Sequence, residues 1–386
     1  MQEQPAFLSL SPRPDDAFVY LPRGLNREYL DAALSRKLGR EVSISHHSSA
    51  NLCAGNFGGV SNCGATLLRL SLQLSDGHRL DVVAKILSPA ELNLFKIDHR
   101  FDAREAEVRW ARWWGQQDVP FVPVVYDARG DRTSREFWII QEFFPQVGWP
   151  DVPGTRDKAF PADLGRLGDL FSHAAEIHAH SARGINELRA LFPAEGIRQG
   201  HDCSPTAIAD CLASLADGSG PVGTLELTAA ERASLQELIE AVRHRPKWVD
   251  EWCCVCVNND LAADNFALRT RDSRTNYVTF DWGTACLGPM ERDIDLLLFR
   301  IRKTASEHEG HLLSRYLEVY QGQTGQRIDR DAFTARMPWA RLLHHLRMIA
   351  EHAISLAWIP HQTRSRERIH MFIPYCSKLL KSCMRA

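Results

Sequence analysis

With 386 residues, 44% of them hydrophobic and 24% charged, the chain can bury a large core and has the make-up of a globular protein of two lobes or domains. A formal net charge of −2 excludes a nucleic-acid binder that works through a bulk basic field. No apolar run is long enough to span a bilayer, and the opening MQEQPAFLSLSPRPDD lacks the basic-then-apolar order of a secretory signal, so a cytoplasmic address with no membrane partner is expected.

Residues up to about 24 are rich in Pro and Asp and are expected to lie over the surface. Asn26 can cap a helix over 27–38, with Tyr29, Leu30, Ala33, Leu34 and Leu38 on one face and Gly39 as its stop. From Val42 to Phe144 the pattern changes to short alternating strands. The stretch 49–62 carries Gly58, Gly59, Ser61 and Asn62 between two of them; such glycines serve a hairpin turn, or let a backbone approach phosphate oxygens. Strands follow over 65–74 and 80–87, joined by the turn Ser75-Asp76-Gly77-His78. Lys85 lies inside the apolar run VVAKIL. A lysine is costly there unless its ammonium meets anions or snorkels to water from an edge. The next segment, 102–114, reads as a helix in which Trp110, Trp113 and Trp114 are core, and Asp102 with Glu105 also forms a capping pattern. A buried strand over 137–144 then runs into a segment rich in Pro and Gly.

After Pro145 the chain turns helical. Residues 164–181 carry an apolar stripe at i, i+3, i+4 spacing, with His178 read as structural. Ser204-Pro205 starts one further helix, and Thr228 with Glu231 caps another. Beyond Asp293 helices are expected to the end of the chain, over 311–322 and 331–358 among others, closing on a basic segment read as a solvated face. Cys253 and Cys256 form a C-x-x-C, but residues three apart on a strand point to opposite faces, so reduced packed thiols are expected. The pairs His46-His47 and His344-His345 lack companion ligands, and no structural zinc is expected.

Between them lies the stretch with chemistry, 252–293. It reads as an apolar strand over 252–257, a polar loop, a short strand over 265–268, a turn, and a strand ending at Asp281. Asp260 and Asn265 are spaced D-x-x-x-x-N, which lets the carboxylate face an incoming hydroxyl while the amide oxygen turns onto a magnesium ion. Asp281 can hold the same ion from the other side.

In this order, Asp260, Asn265, Asp281-Trp282, Gly288-Pro289 and Asp293 resemble the catalytic segment of the aminoglycoside phosphotransferase and choline kinase superfamily, small-molecule kinases of protein-kinase-like fold. The sequence departs from that pattern at Asn258, where those enzymes usually carry His. The resemblance implies an α+β two-lobed fold: an N-terminal extension over 1–40, an antiparallel nucleotide-binding lobe with one key helix over 41–144, and a mainly helical catalytic lobe over 145–386. It implies ATP and Mg²⁺ as cofactors and the hydroxyl of a small molecule as acceptor. Gly58, Gly59, Ser61 and Asn62 match the loop over the phosphates. Lys85 takes the α- and β-phosphates, and Glu105 is expected to aim it, with Glu107 as the alternative. The backbone near Glu142 and Phe143 reads adenine, Asp260 positions the hydroxyl as the catalytic residue, and Asn265 with Asp281 binds the metal. Asn258 and the modest glycine loop leave a second reading, a nucleotide-binding pseudokinase or sensor. The absence of an Ala-Pro-Glu segment after Asp281 disfavours a protein kinase.

Overall fold

The computed structural model describes residues 22–52, 65–87, 97–98, 101–131, 136–145, 160, 163–191, 205–218, 225–245, 254–258, 260–262, 265–271, 274–358 and 363–384. Two compact units divide the chain, Met1–Gln146 and Val147–Ala386.

The first unit opens with α1 (Arg27–Leu38). Asn26 caps it by accepting from the Tyr29 amide, and Gly39 stops it at φ 65°, a conformation that costs glycine nothing. Strands β1 (Ile44–Asn51), β2 (Ala65–Leu74) and β3 (Arg79–Leu87) follow, then the short pair β4 (Ile97–Asp98) and β5 (Phe101–Asp102). Helix α2 (Ala103–Gln116) leads to β6 (Val125–Asp131) and β7 (Glu136–Glu142). The main sheet runs β1-β2-β3-β7-β6, antiparallel throughout.

Strand alternation divides this lobe into two cores. Val82, Ala84, Ile86, Trp138 and Ile140 join Leu30 and Leu34 of α1, so that helix belongs to the body of the first unit rather than to an extension. Leu87, Phe137 and Ile139 face the other way and meet Val108 and Ala111 of α2. Lys85 shares the parity of Leu87, and the sheet therefore delivers it to the α2 side.

In the second unit α3 (Leu164–Arg183), capped by Asp163, is followed by α4 (Ile185–Leu191), α5 (Pro205–Ala216) and α6 (Ala229–Arg243). The last of these begins with the full capping box of Thr228 and Glu231. Next come β8 (Cys254–Val257), the hairpin β9 (Phe266–Arg271) and β10 (Arg274–Thr279), a 3-10 turn at Trp282–Thr284, and β11 (Cys286–Pro289), which pairs antiparallel with β8. Helices α7 (Glu291–Ala305), α8 (Glu309–Thr324), α9 (Arg330–Trp358) and α10 (Thr363–Cys383) complete it.

One core gathers α3, β8, α7 and α8 around Phe171, Val257, Ile294, Leu297 and Tyr316. A second gathers α5 and α6 with α9 and α10. Helices α5 and α6 thus pack against the carboxy-terminal helices. On α10 the stripe Ile369, Ile373, Cys376, Leu380 is buried, while Lys378 and Lys381 are exposed, as a solvated basic face requires. An antiparallel-sheet lobe followed by a larger, mainly helical lobe is the α+β arrangement of the protein-kinase-like fold. Among the described residues no helix is long and apolar enough to cross a membrane.

Candidate active site

In the first unit the ammonium of Lys85 donates to Glu107 Oε1. Both side chains are largely buried, 11% and 4% exposed, so each supplies the counter-charge that makes the other's burial tolerable. Glu105, expected in this role, instead accepts from Arg109 Nη2 at 2.6 Å, one turn along the same helix. The reason is angular. Successive helical residues are 100° apart, so Glu107 shares a face with Val108 and Ala111, which pack on the sheet, whereas Glu105 is turned about 200° from it. Trp110, Trp113 and Trp114 are buried and meet edge to face, as core residues.

At the end of β7 the amide of Glu142 donates to Val124 O at 2.8 Å, and that of Phe143 makes a longer bond to Asp81 O at 3.4 Å. These two amides are engaged within the lobe, so a purine edge at this strand end would be met by other backbone groups. Gly58, Gly59, Ser61 and Asn62 lie outside the described residues, as does Cys253. Cys256, the other half of the C-x-x-C, is a buried free thiol whose pKa burial raises.

The second unit brings Asn258, Asp260, Asn265 and Asp281 together through direct hydrogen bonds. Phe266 pairs with Thr279 in the β9–β10 hairpin, and just beyond it the Phe280 amide donates to Asn265 O at 3.1 Å. That bond sets Asn265 beside the residue preceding Asp281. The Asn265 side-chain nitrogen donates to Asp260 O at 2.7 Å and to Asp260 Oδ2 at 3.2 Å, which turns its amide oxygen away from Asp260. Asn258 closes the ring, since its Nδ2 donates to Asp281 O at 3.2 Å and its Oδ1 accepts from the Asp260 amide at 3.1 Å. Asp281 stands at φ 60°, the one non-glycine residue with positive φ among those described. That conformation costs on the order of 1 kcal/mol and tends to survive where a site needs it.

Behind the loop Asp293, on α7, accepts from the Asn258 amide at 2.7 Å. His178 Nε2 lies 3.3 Å from the same carboxylate oxygen, and its Nδ1 lies 2.7 Å from Tyr316 Oη. His178 is structural, and what it supports is the loop. Nearby, His173 meets Thr279 Oγ1 at 2.6 Å, and burial pushes its pKa down to about 3, so it stays neutral.

One contact to the loop carries no signal in the sequence. Arg300, on α7, donates from Nη2 to Asp260 Oδ1 at 2.8 Å. The Asp260 carboxylate is therefore held from both oxygens, by Arg300 and Asn265, and each oxygen keeps a further lone pair for an acceptor proton.

Asn265 and Asp281 offer hard oxygen donors of the kind magnesium takes, and the oriented amide of Asn265 fits that use. No group of three or more His, Cys, Asp or Glu side chains suited to a metal occurs among the described residues. Two protein ligands are what a magnesium ion shared with phosphate oxygens needs.

No family model matches the chain, and no curated protein sequence matches it. Solved structures do. An ethanolamine kinase of Plasmodium vivax superposes with a TM-score of 0.54 at 11% identity, over 84% of this chain and 82% of that one. A protein of Ralstonia eutropha assigned as an aminoglycoside phosphotransferase gives 0.55 at 14% identity, over 92% and 98%. The chain thus has the fold of the ethanolamine kinase and aminoglycoside phosphotransferase structures, a protein-kinase-like fold.

Proposed function

We propose that the protein is a small-molecule kinase that moves the γ-phosphate of ATP, with Mg²⁺, onto a hydroxyl group. The observation that carries this reading is the closed set of hydrogen bonds joining Asn258, Asp260, Asn265 and Asp281. It holds one carboxylate beside two oxygen ligands, the division of labour phosphoryl transfer requires. Lys85, aimed by Glu107, takes the α- and β-phosphates. The loop bearing Gly58, Gly59, Ser61 and Asn62 covers them, and backbone groups near the strand end other than the Glu142 and Phe143 amides receive the adenine.

Asn265 and Asp281 hold the magnesium ion, which when bound neutralises charge between the phosphates. Asp260 orients the acceptor hydroxyl and takes up its proton as the bond to phosphorus forms. The transition state is loose, so positioning by Asp260 and charge neutralisation by Lys85 supply most of the rate. The cytoplasm, where ATP is abundant, is the compartment this activity fits.

The experiment follows label from γ-labelled ATP into a small-molecule extract, using wild type, Asp260→Ala and Asp281→Ala. The reading requires a labelled product with wild type and loss of at least about 100-fold in either variant. Mg-ATP binding is retained in Asp260→Ala. The alternative, a nucleotide-binding sensor, requires a thermal shift with Mg-ATP and no product in any reaction.

A further inference from the structure

We propose that the acceptor is an acidic hydroxy compound, whose carboxylate or phosphate is held by Arg300 while its hydroxyl meets Asp260. This rests on the phosphotransfer reading above and names the substrate class of the same site.

The guanidinium of Arg300 is a planar fork. One nitrogen, Nη2, is bonded to Asp260 Oδ1 at 2.8 Å; the other, Nη1, is shielded from solvent and has no hydrogen-bond partner among the described residues. A donor left in that state is costly, and an entering oxyanion would remove the cost. The Arg300 side chain keeps 19% of its surface exposed and that of Asp260 36%, so the pair is reached from solvent through atoms other than Nη1.

The surroundings are cationic. Helices α7 and α9 pack together, and where they meet Arg292 Nη2 lies 3.4 Å from His344 Nδ1. Arg292 and Arg347 are both buried, 4% and 5% exposed. His344, held neutral and well below the ordinary histidine range, owes that first to burial and then to the charges of Arg292, Arg347, His345 and Arg300. The three carboxylates at the start of α7 have partners of their own: Glu291 faces Arg336, Asp293 serves Asn258 and His178, and Asp295 takes Arg341.

Geometry narrows the ligand further. An oxyanion on one tine of a fork whose other tine holds Asp260 sits only a few ångströms from the hydroxyl site. The acid and the reacting hydroxyl therefore lie within two or three bonds of each other. A cationic acceptor, by contrast, would bring its charge against Arg300. In the reaction the acceptor oxygen forms a bond to the γ-phosphorus, the bond to the bridging oxygen of ADP breaks, and the hydroxyl proton passes to Asp260.

The test divides a small-molecule extract by ion exchange into anionic, neutral and cationic fractions before reaction with labelled ATP, Mg²⁺ and the full-length protein. Label in a product from the anionic fraction is expected; prior phosphatase treatment of that fraction separates a phosphate ester, whose signal is lost, from a carboxylic acid, whose signal stays. With the purified acceptor, Arg300→Gln should raise the acceptor KM by about 10- to 100-fold, with a smaller change in the KM for ATP and partial recovery in Arg300→Lys. Product from the cationic or neutral fraction alone overturns the acidic acceptor and leaves phosphotransfer standing. So does an Arg300→Gln variant that changes only kcat or the KM for ATP, which would place the guanidinium on the transferred phosphoryl group. No product from any fraction overturns both readings.

Discussion

Exchanging one carboxylate for an amide at two neighbouring positions of α2 separates the ion pair that aims Lys85 from one that decorates the surface. Glu107→Gln keeps the shape of the side chain but leaves the Lys85 ammonium, in a residue only 8% exposed, without that counter-charge. Removing one partner of a buried pair costs about 3–5 kcal/mol, and the glutamine oxygen can still accept a bond worth about 1, so a loss of about 2–4 kcal/mol is expected. Glu105→Gln removes a pair one turn apart whose side chains are 18% and 28% exposed, worth about 0.3–0.5 kcal/mol. Denaturant unfolding of the first unit can be followed by near-ultraviolet circular dichroism of the packed Trp110, Trp113 and Trp114, with Mg-ATP titration in parallel. The variant at 107 should lose stability and bind nucleotide more weakly, while the variant at 105 behaves as wild type within about twofold. Equal losses in the two variants would refute the assignment of Glu107.

Two further outcomes follow from the second unit. Asn258→Ala deletes both side-chain bonds that join Asp260 to Asp281, so a loss of about 1–2 kcal/mol in urea unfolding, together with a lower kcat, is expected; Asn258→His should recover more of the kcat than Asn258→Ala does. His173, with its pKa pushed down to about 3, and His344, well below the ordinary range, stay neutral in the fold but take up protons when unfolded. Their contribution to stability is therefore complete above about pH 6.5 and is lost as the pH falls, by about 1.4 kcal/mol per pH unit for each histidine. Urea midpoints between pH 7 and 5 would measure that slope, and an unchanged midpoint would count against buried neutral rings.

How much of this was legible follows from what each feature depends on. The strand 65–74 is predicted to the residue because alternation is a local property, and Lys85, Asp260, Asn265 and Asp281 stand out because strand ends and a fixed spacing mark them. Motif order alone favours Glu105 over Glu107. The apolar positions Val108 and Ala111, which fix the sheet-facing side of α2, and Arg109 one turn beyond Glu105 point to the structure's answer. The helix expected over 311–322 runs to Thr324, because the left-handed residue that ends it is Gly325 at φ 72° rather than Gly322. Arg300 could not have been found this way. It reaches Asp260 across 40 residues of chain, through the packing of a helix, and no local pattern encodes that meeting.

Asn258 shows how a departure from a motif can be read physically. The position has two tasks, to anchor the loop through its own amide and to tie Asp260 to the strand end at Asp281. The amide is held by Asp293 whatever side chain the residue carries. The second task needs a donor and an acceptor on one short side chain, and a carboxamide has both; here its nitrogen donates to Asp281 O and its oxygen accepts from the Asp260 amide. A neutral imidazole also offers one donor and one acceptor, but farther from the backbone, so exchange at this position alters reach more than bonding capacity. Asn258 is therefore a structural tie of the loop.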